Sequence, residues 1–241
     1  MSKSAPFRLT AISSMATRQI LTELAAQCAS HLNCQLALES LGGVEAAKRV
    51  RAGERFDLVF LADDALTSLE SDGYLLPGSR RPLMRSEVVV AVPKGSPRPV
   101  ISTEAALKTA VCAAESIGYS TGPSGSALLA LFERWGLSAE LKPRLVLAPA
   151  GVPVAQLVAE GRAAIGFQQR SEFLGNPGVA VVGPLPESAA IETIFSGALG
   201  QRHSDDARIV KAQQILDFIA SAQAASVMRA CGMSPVTVSI H

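Results

Sequence analysis

The residues best able to do chemistry in this chain are hydroxyls, glycines and amides gathered at a few places. Ser120-Thr121-Gly122-Pro123-Ser124-Gly125-Ser126 opens directly into an amphipathic segment that runs to Arg134. Ser124 or Ser126 can cap that helix, and Gly125 lets backbone N–H groups come close to a ligand. A helix start carries unpaired donors and a partial positive charge, so it attracts anions. Ser13-Ser14 repeats the pattern of strand, small hydroxyl loop and helix near the N-terminus, and Gln168-Gln169 closes a short apolar strand. Ser120, Thr121 and Ser124 around Gly122 and Gly125 exceed what capping needs, so contact with a small anionic ligand is expected there and at Ser13 and Ser14. Met15 can pack on that ligand or on the core. Asp63-Asp64 reads as a helix cap, with proton transfer by Asp63 as the alternative.

No sharp acid/base group stands out. Ser13, Ser14, Ser124 and Asp63 are the candidates, and the catalytic residue is left open. His31 lies near a helix end, His203 in a polar loop and His241 at the last position, a poor set for catalysis. Cys28, Cys34, Cys112 and Cys231 form no CxxC pair and stand at no ligand spacing to the histidines. Free, buried thiols are expected, with no metal and no cofactor.

The elements that must position these residues follow from periodicity. Of 241 residues, 48% are hydrophobic and 18% charged, enough apolar material for one large domain or two modest ones. The net charge of +1 gives no electrostatic case for nucleic acid or a membrane surface. No window of 18 apolar residues suggests a membrane span. No long apolar leader precedes the first strand, so a cytoplasmic location is expected, or a periplasmic one if a leader was removed.

Residues 7–12 read as a strand, followed by a helix with Ile20, Leu21, Leu24 and Cys28 at helical spacing. Then come a strand at 35–39, a break at Gly42-Gly43, a helix at 44–52, a buried strand at 56–61 and a helix to about Ser71. Strands alternating with helices imply a parallel sheet with helices on both faces, binding ligands outside the carboxyl ends of the strands. Ser13-Ser14, Gly42-Gly43 and Asp63-Asp64 fall at those ends. Further on, the pattern predicts strands at 87–92, 111–114, 145–147, 164–167, 179–182 and 191–199. Helices are predicted at 103–109, from the loop at 120–126, and at 153–160, 207–220 and 221–230.

The order of these elements resembles the type II periplasmic solute-binding fold, close to the molybdate-binding proteins of ABC transporters. The resemblance is carried by Ser13-Ser14 at a strand end, Gly42-Gly43-Val44, and Phe56-Asp57-Leu58-Val59-Phe60 with Ala62-Asp63. It continues through the segment 88–95, Pro123-Ser124-Gly125, the segment 161–167, and the segment 219–223 with Gly232-Met233. It implies an α/β fold of two lobes, each a mostly parallel sheet flanked by helices, with two crossovers. The lobes would hold residues 1–84 plus 190–241, and residues 85–189. A ligand would be held between them by hinge closure.

The pattern departs from the molybdate binders at the site. Their tyrosine falls here at Gln168-Gln169, and Gly42-Gly43-Val44 stands where a hydroxyl is expected. Amides suit carboxylates and carbonyls, and Arg85-Ser86 at the first crossover can offer a guanidinium fork. The implied ligand contacts are Ser13, Ser14, Met15, Gly43, Arg85, Ser86, Ser120, Thr121, Pro123, Ser124, Gly125, Gln168 and Gln169. Gly-Phe-Gln-Gln with Ser171-Glu172 and the segment 182–186 resembles a subgroup that includes aconitate isomerases. The implied function is therefore an isomerase that moves an allylic proton in a tricarboxylate. The alternative is a receptor for molybdate or a related oxyanion, with an ABC permease as partner. A ligand sensor is a third class.

Overall fold

The computed structural model describes residues 6–149, 151–201 and 206–236. Its elements in chain order are β1 (Phe7–Ser14), α1 (Arg18–His31), β2 (Cys34–Leu41), α2 (Gly43–Arg51), β3 (Leu58–Ala62), α3 (Asp63–Ser71) and β4 (Arg81–Pro93). They continue with α4 (Glu104–Ala113), β5 (Ile117–Tyr119), α5 (Pro123–Arg134), α6 (Ser138–Leu141), β6 (Leu145–Leu147) and α7 (Val154–Ala159). The chain ends with β7 (Ile165–Gln169), α8 (Arg170–Phe173), β8 (Val179–Pro184), β9 (Glu192–Leu199), α9 (Asp206–Ile219), α10 (Ala222–Ala230) and β10 (Ser234–Pro235). The chain divides into two compact units, one up to Arg85 and from Ile194 onward, the other Ser86–Thr193. It passes from the first to the second within β4 and back within β9.

In the first unit β1 runs parallel to both β2 and β3, and β3 pairs antiparallel with β9. Every residue of β3 is buried, and alternate side chains serve opposite faces. Leu58, Phe60 and Ala62 pack with Leu9, Ala11 and the apolar faces of α1, α9 and α10. Val59 and Leu61 pack with Ala46 and Val50 of α2 and Leu66 and Leu69 of α3. The expected helices on both faces are present, and they leave the carboxyl ends of β1, β2 and β3 as the place where polar loops collect.

One buried charge ties this unit together. Asp57 accepts from Arg208 Nε at 2.8 Å and Nη2 at 2.6 Å, and from Thr10 N at 2.6 Å and Thr10 Oγ1 at 3.0 Å. Burial pushes its carboxyl up, but these donors outweigh burial and hold it below the usual carboxylate range.

The second unit repeats the plan with order β8-β4-β7-β5-β6. β4 is antiparallel to β7 and β8, and β5 is parallel to β7 and β6. Val88, Val90 and Val92 face α4 and α5, while Val89 and Ala91 face α7 and Phe173. At Gly166 α7 lies so close to the sheet that a Cβ would come within 2.5 Å of Val158 Cγ2.

Several local expectations are corrected. The apolar run Val111–Ala114 is not a strand: α4 extends to Ala113, because Leu107 and Val111, four apart, bury one helical face. The strand follows at Ile117–Tyr119. Thr103 does cap α4, accepting from Ala106 N at 3.2 Å. The cap of α5 is Gly122, not Ser124 or Ser126, because Pro123 takes the first helical position and pulls the start of the helix forward. The cap of α3 is Ala62, with Asp63 and Asp64 inside the first turn. Gln168 and Gln169 belong to β7 rather than to a loop beyond it. The short helices α6 and α8 have no periodicity long enough to reveal them. All four cysteines are free, with Cys28, Cys34 and Cys231 buried. His203 and His241 lie outside the described residues, and His31 is exposed.

Candidate functional site

In the first unit, parallel pairing places Ser13 beside Ser40 and Phe60 at the carboxyl ends of three strands. Ser13 is fully buried, and its Oγ shares a 2.8 Å hydrogen bond with Ser40 Oγ. Ser14 is buried and precedes a single 3-10 turn, Met15–Thr17, with no side-chain capping bond. Thr17 Oγ1 instead donates to Ser14 O at 3.1 Å. Met15 is half-buried and outside the core clusters. Gly43 opens α2 next to Ser14, and its added Cβ would lie 3.7 Å from Ser14 Cβ. Hydroxyls and the start of α2 therefore converge on one strand end, as the sequence leads one to expect.

Asp63 sits beside them but is engaged. It accepts from Arg80 Nη1 and from the Ser196 hydroxyl through the same Oδ1. Ser196 stands on β9 opposite Leu61, so antiparallel pairing delivers it to the strand end. Arg85, the last residue of this unit, is exposed and carries further interactions.

In the second unit, Ser120, Thr121, Gly122 and the start of α5 follow β5, while Gln168 and Gln169 end the parallel neighbour β7. Ser120 Oγ and Ser124 Oγ share a 3.2 Å hydrogen bond. Ser124 is buried, whereas Thr121 and Pro123 are exposed. Gly125 is a steric requirement: a Cβ there would lie 1.7 Å from Ser120 O. The loop thus folds back onto the first turn of α5.

The two glutamines point to opposite faces. Gln168 pairs with Val89, and its Oε1 accepts from Val154 N at 2.8 Å. Gln169 pairs with Val88 on the α5 face and donates from Nε2 to Thr193 Oγ1 at 2.7 Å. Gln169 Oε1 and Ser86 Oγ are buried and have no hydrogen-bond partner. Ser86 lies two residues before Val88 on β4, on the same face and at the same end as Gln169. Buried polar atoms without partners are rare and call for a bound group or water.

Glu172 on α8 was not among the expected contacts. Its Oε2 accepts from Gln168 Nε2 at 2.6 Å, and burial pushes its carboxyl up to about 8. A lone glutamate in a short segment gives no periodic signal; only its neighbours in space set it apart. Thr193, Ser196 and Ser40 were missed for the same reason. Among the described residues no group of three His, Cys, Asp or Glu side chains could hold a metal ion. No described helix is long and apolar enough to cross a membrane.

Two α/β units, strand-end hydroxyl loops and two crossovers define a periplasmic-binding-protein fold, and the expected resemblance holds at the level of the fold. The chain belongs to the bacterial extracellular solute-binding protein family, whose model matches residues 9–234. It is 35% identical over 205 residues to aconitate isomerase from Pseudomonas sp, covering 83% of this chain and 76% of that one. The periplasmic molybdate-binding protein of Azotobacter vinelandii superposes with a TM-score of 0.78 at 19% identity, covering 96% of this chain and 100% of that chain. The tungstate ABC transporter structure from Geobacter sulfurreducens gives a TM-score of 0.73 at 18% identity, covering 92% and 98%.

Proposed function

We propose that this protein binds a small carboxylate anion and isomerises it, with aconitate or a close tricarboxylate as substrate. The observation that carries the reading is the buried pair Ser86 Oγ and Gln169 Oε1, both without partners at one strand end. A half-turn of the Gln169 amide lets Thr193 donate to Oε1 and aims Nε2–H outward. Ser86 and Gln169 then offer two neutral donors to one carboxylate, on the same face as the start of α5. The hydroxyl pair Ser120–Ser124 adds donors in the same unit. The aconitate isomerase relative, at 35% identity, supports this choice of substrate. Isomerisation moves one proton across an allylic system and needs no cofactor. It needs donors that hold the charge developing on the conjugated carboxylate.

A second reading is favoured by the same hydroxyl pair, whose short O–H donors also suit a tetrahedral oxyanion. The protein would then be a receptor for molybdate or a related ion, working with an ABC permease. The solved molybdate and tungstate binders support it at the level of fold.

Purified protein incubated with trans-aconitate, followed by ultraviolet absorbance and proton NMR, separates the two. Formation of cis-aconitate at a rate proportional to protein supports the isomerase. No interconversion, together with tight molybdate binding by calorimetry, sinks it in favour of the receptor.

A further inference from the structure

We infer that Glu172 is the group that carries the proton in this isomerisation, and that Gln168 is the residue that positions it. The inference rests on the isomerase reading. Because β7 sends Gln169 to the α5 face and Gln168 to the α7 face, the substrate must lie across the end of this strand, its carboxylate toward Ser86 and Gln169 and its methylene carbon toward Glu172.

The Gln168 amide is fixed at both ends. Oε1 accepts from Val154 N at the start of α7, and Nε2 donates to Glu172 Oε2. Glu172 therefore has one oxygen held at the carboxyl end of the central strand of this unit, where α/β sheets bind ligands. Among the described residues it makes no ion pair. Of the elements packed against α8, β7 (Ile-Gly-Phe-Gln-Gln) and α7 (Val-Ala-Gln-Leu-Val-Ala) contain no titratable residue. On α8 itself, Arg170 is paired with Glu87 at 3.1 Å. A carboxyl that is half-buried, uncompensated and held by a neutral donor has the character of an acid/base catalyst rather than of a structural ion pair. Its raised titration point agrees with that role.

The step balances with this one group. The Glu172 carboxylate takes a proton from the methylene carbon of aconitate; that C–H bond breaks and its electron pair enters the allylic system, conjugated with a carboxylate. Glu172, now a carboxylic acid, returns the proton to the former vinylic carbon. A new C–H bond forms there, and the double bond ends between the central carbon and the former methylene carbon. The product is aconitate again, with its geometry set by the conformer that is reprotonated. No oxidant or second substrate enters. Asp63 does not fit as well, since its Oδ1 is taken by Arg80 and Ser196.

The test compares full-length wild type, Glu172→Gln and Gln168→Ala with trans-aconitate in heavy water, read by proton NMR. Melting with and without trans-aconitate checks folding and binding. Wild type is expected to isomerise and to exchange the methylene proton for deuterium. Glu172→Gln should lose both by about a hundredfold or more while trans-aconitate still raises its melting temperature. Gln168→Ala should keep partial activity, with the rising limb of kcat/KM against pH moved upward, because a lost hydrogen bond to the carboxylate raises its pKa. A merely structural glutamine would lower the rate without moving that limb. Glu172→Gln within about tenfold of an active wild type would overturn the assignment of Glu172 and leave the isomerase reading standing. A wild type that neither isomerises nor exchanges overturns both.

Discussion

Gln169 and Thr193 are joined by a buried 2.7 Å hydrogen bond from Nε2 to Oγ1, which leaves Gln169 Oε1 without a partner. Thr193 stands at the end of the second unit, on the strand that carries the chain back. Thr193 can meet either end of the amide, so the bond holds the Gln169 side chain at the strand end where Ser86 Oγ is also unpaired. An unpaired buried hydroxyl costs about 1–3 kcal/mol. Ser86→Ala should therefore melt no lower than wild type without ligand, yet bind trans-aconitate about tenfold more weakly, a difference of roughly 1.4 kcal/mol. Thermal shift with and without the anion reads both effects. A variant that melts lower and binds equally well would show that Ser86 serves packing alone.

Gly125→Ala tests the loop that turns into α5. Its Cβ would lie 1.7 Å from Ser120 O, a backbone atom that cannot swing aside. A loss of roughly 1–3 kcal/mol or more in denaturant titration is expected. Anion binding should weaken too, since Ser120 and Ser124 must separate.

Asp57→Asn should cost about 3–5 kcal/mol, because it leaves Arg208 facing a neutral amide beside Thr10. The native carboxyl titrates below its unfolded value of 3.8. Its stabilisation is therefore complete above that value and is lost as pH falls through the lower, folded pKa. Acid titration followed by circular dichroism should show a shallower acid transition in the variant.

Glu172 has the opposite sign. Unfolded, it titrates near 4.5; folded, at about 8. Between those values the unfolded chain has lost a proton that the folded protein retains, so the folded state loses stability as pH rises across that window. The slope is about 1.4 kcal/mol per pH unit at most. Glu172→Gln should flatten it, which denaturant midpoints at the two ends of the window will measure.

Asp63→Ala should lower the melting temperature while leaving isomerisation within about threefold, because its carboxylate is engaged with Arg80 and Ser196. A fall in kcat of about a hundredfold at unchanged stability would return Asp63 to the role of proton carrier.

Much of the fold was legible because its signals are local. The buried run Leu58–Ala62, the helical spacing of Ile20, Leu21, Leu24 and Cys28, and Thr103 before an apolar face each settle an element within a few residues. Val111–Ala114 misled because a short apolar run reads alike on a strand and on the last turn of a helix. Ser124 misled as a cap because Pro123 already occupies the position that begins α5.

The sequence by itself determined the alternation of strands and helices, and with it which hydroxyl loops stand at strand ends, because backbone periodicity and turn chemistry act over a few residues. It also singled out Gly125, Gln168 and Gln169. Only the tertiary structure decided what each polar side chain faces. Gln168 is spent on Val154 and Glu172, Gln169 keeps an open oxygen, Asp63 is neutralised by Arg80, and Glu172 gains a raised carboxyl. Those outcomes depend on desolvation and on partners distant in the chain, which sheet pairing brings together and no local pattern encodes.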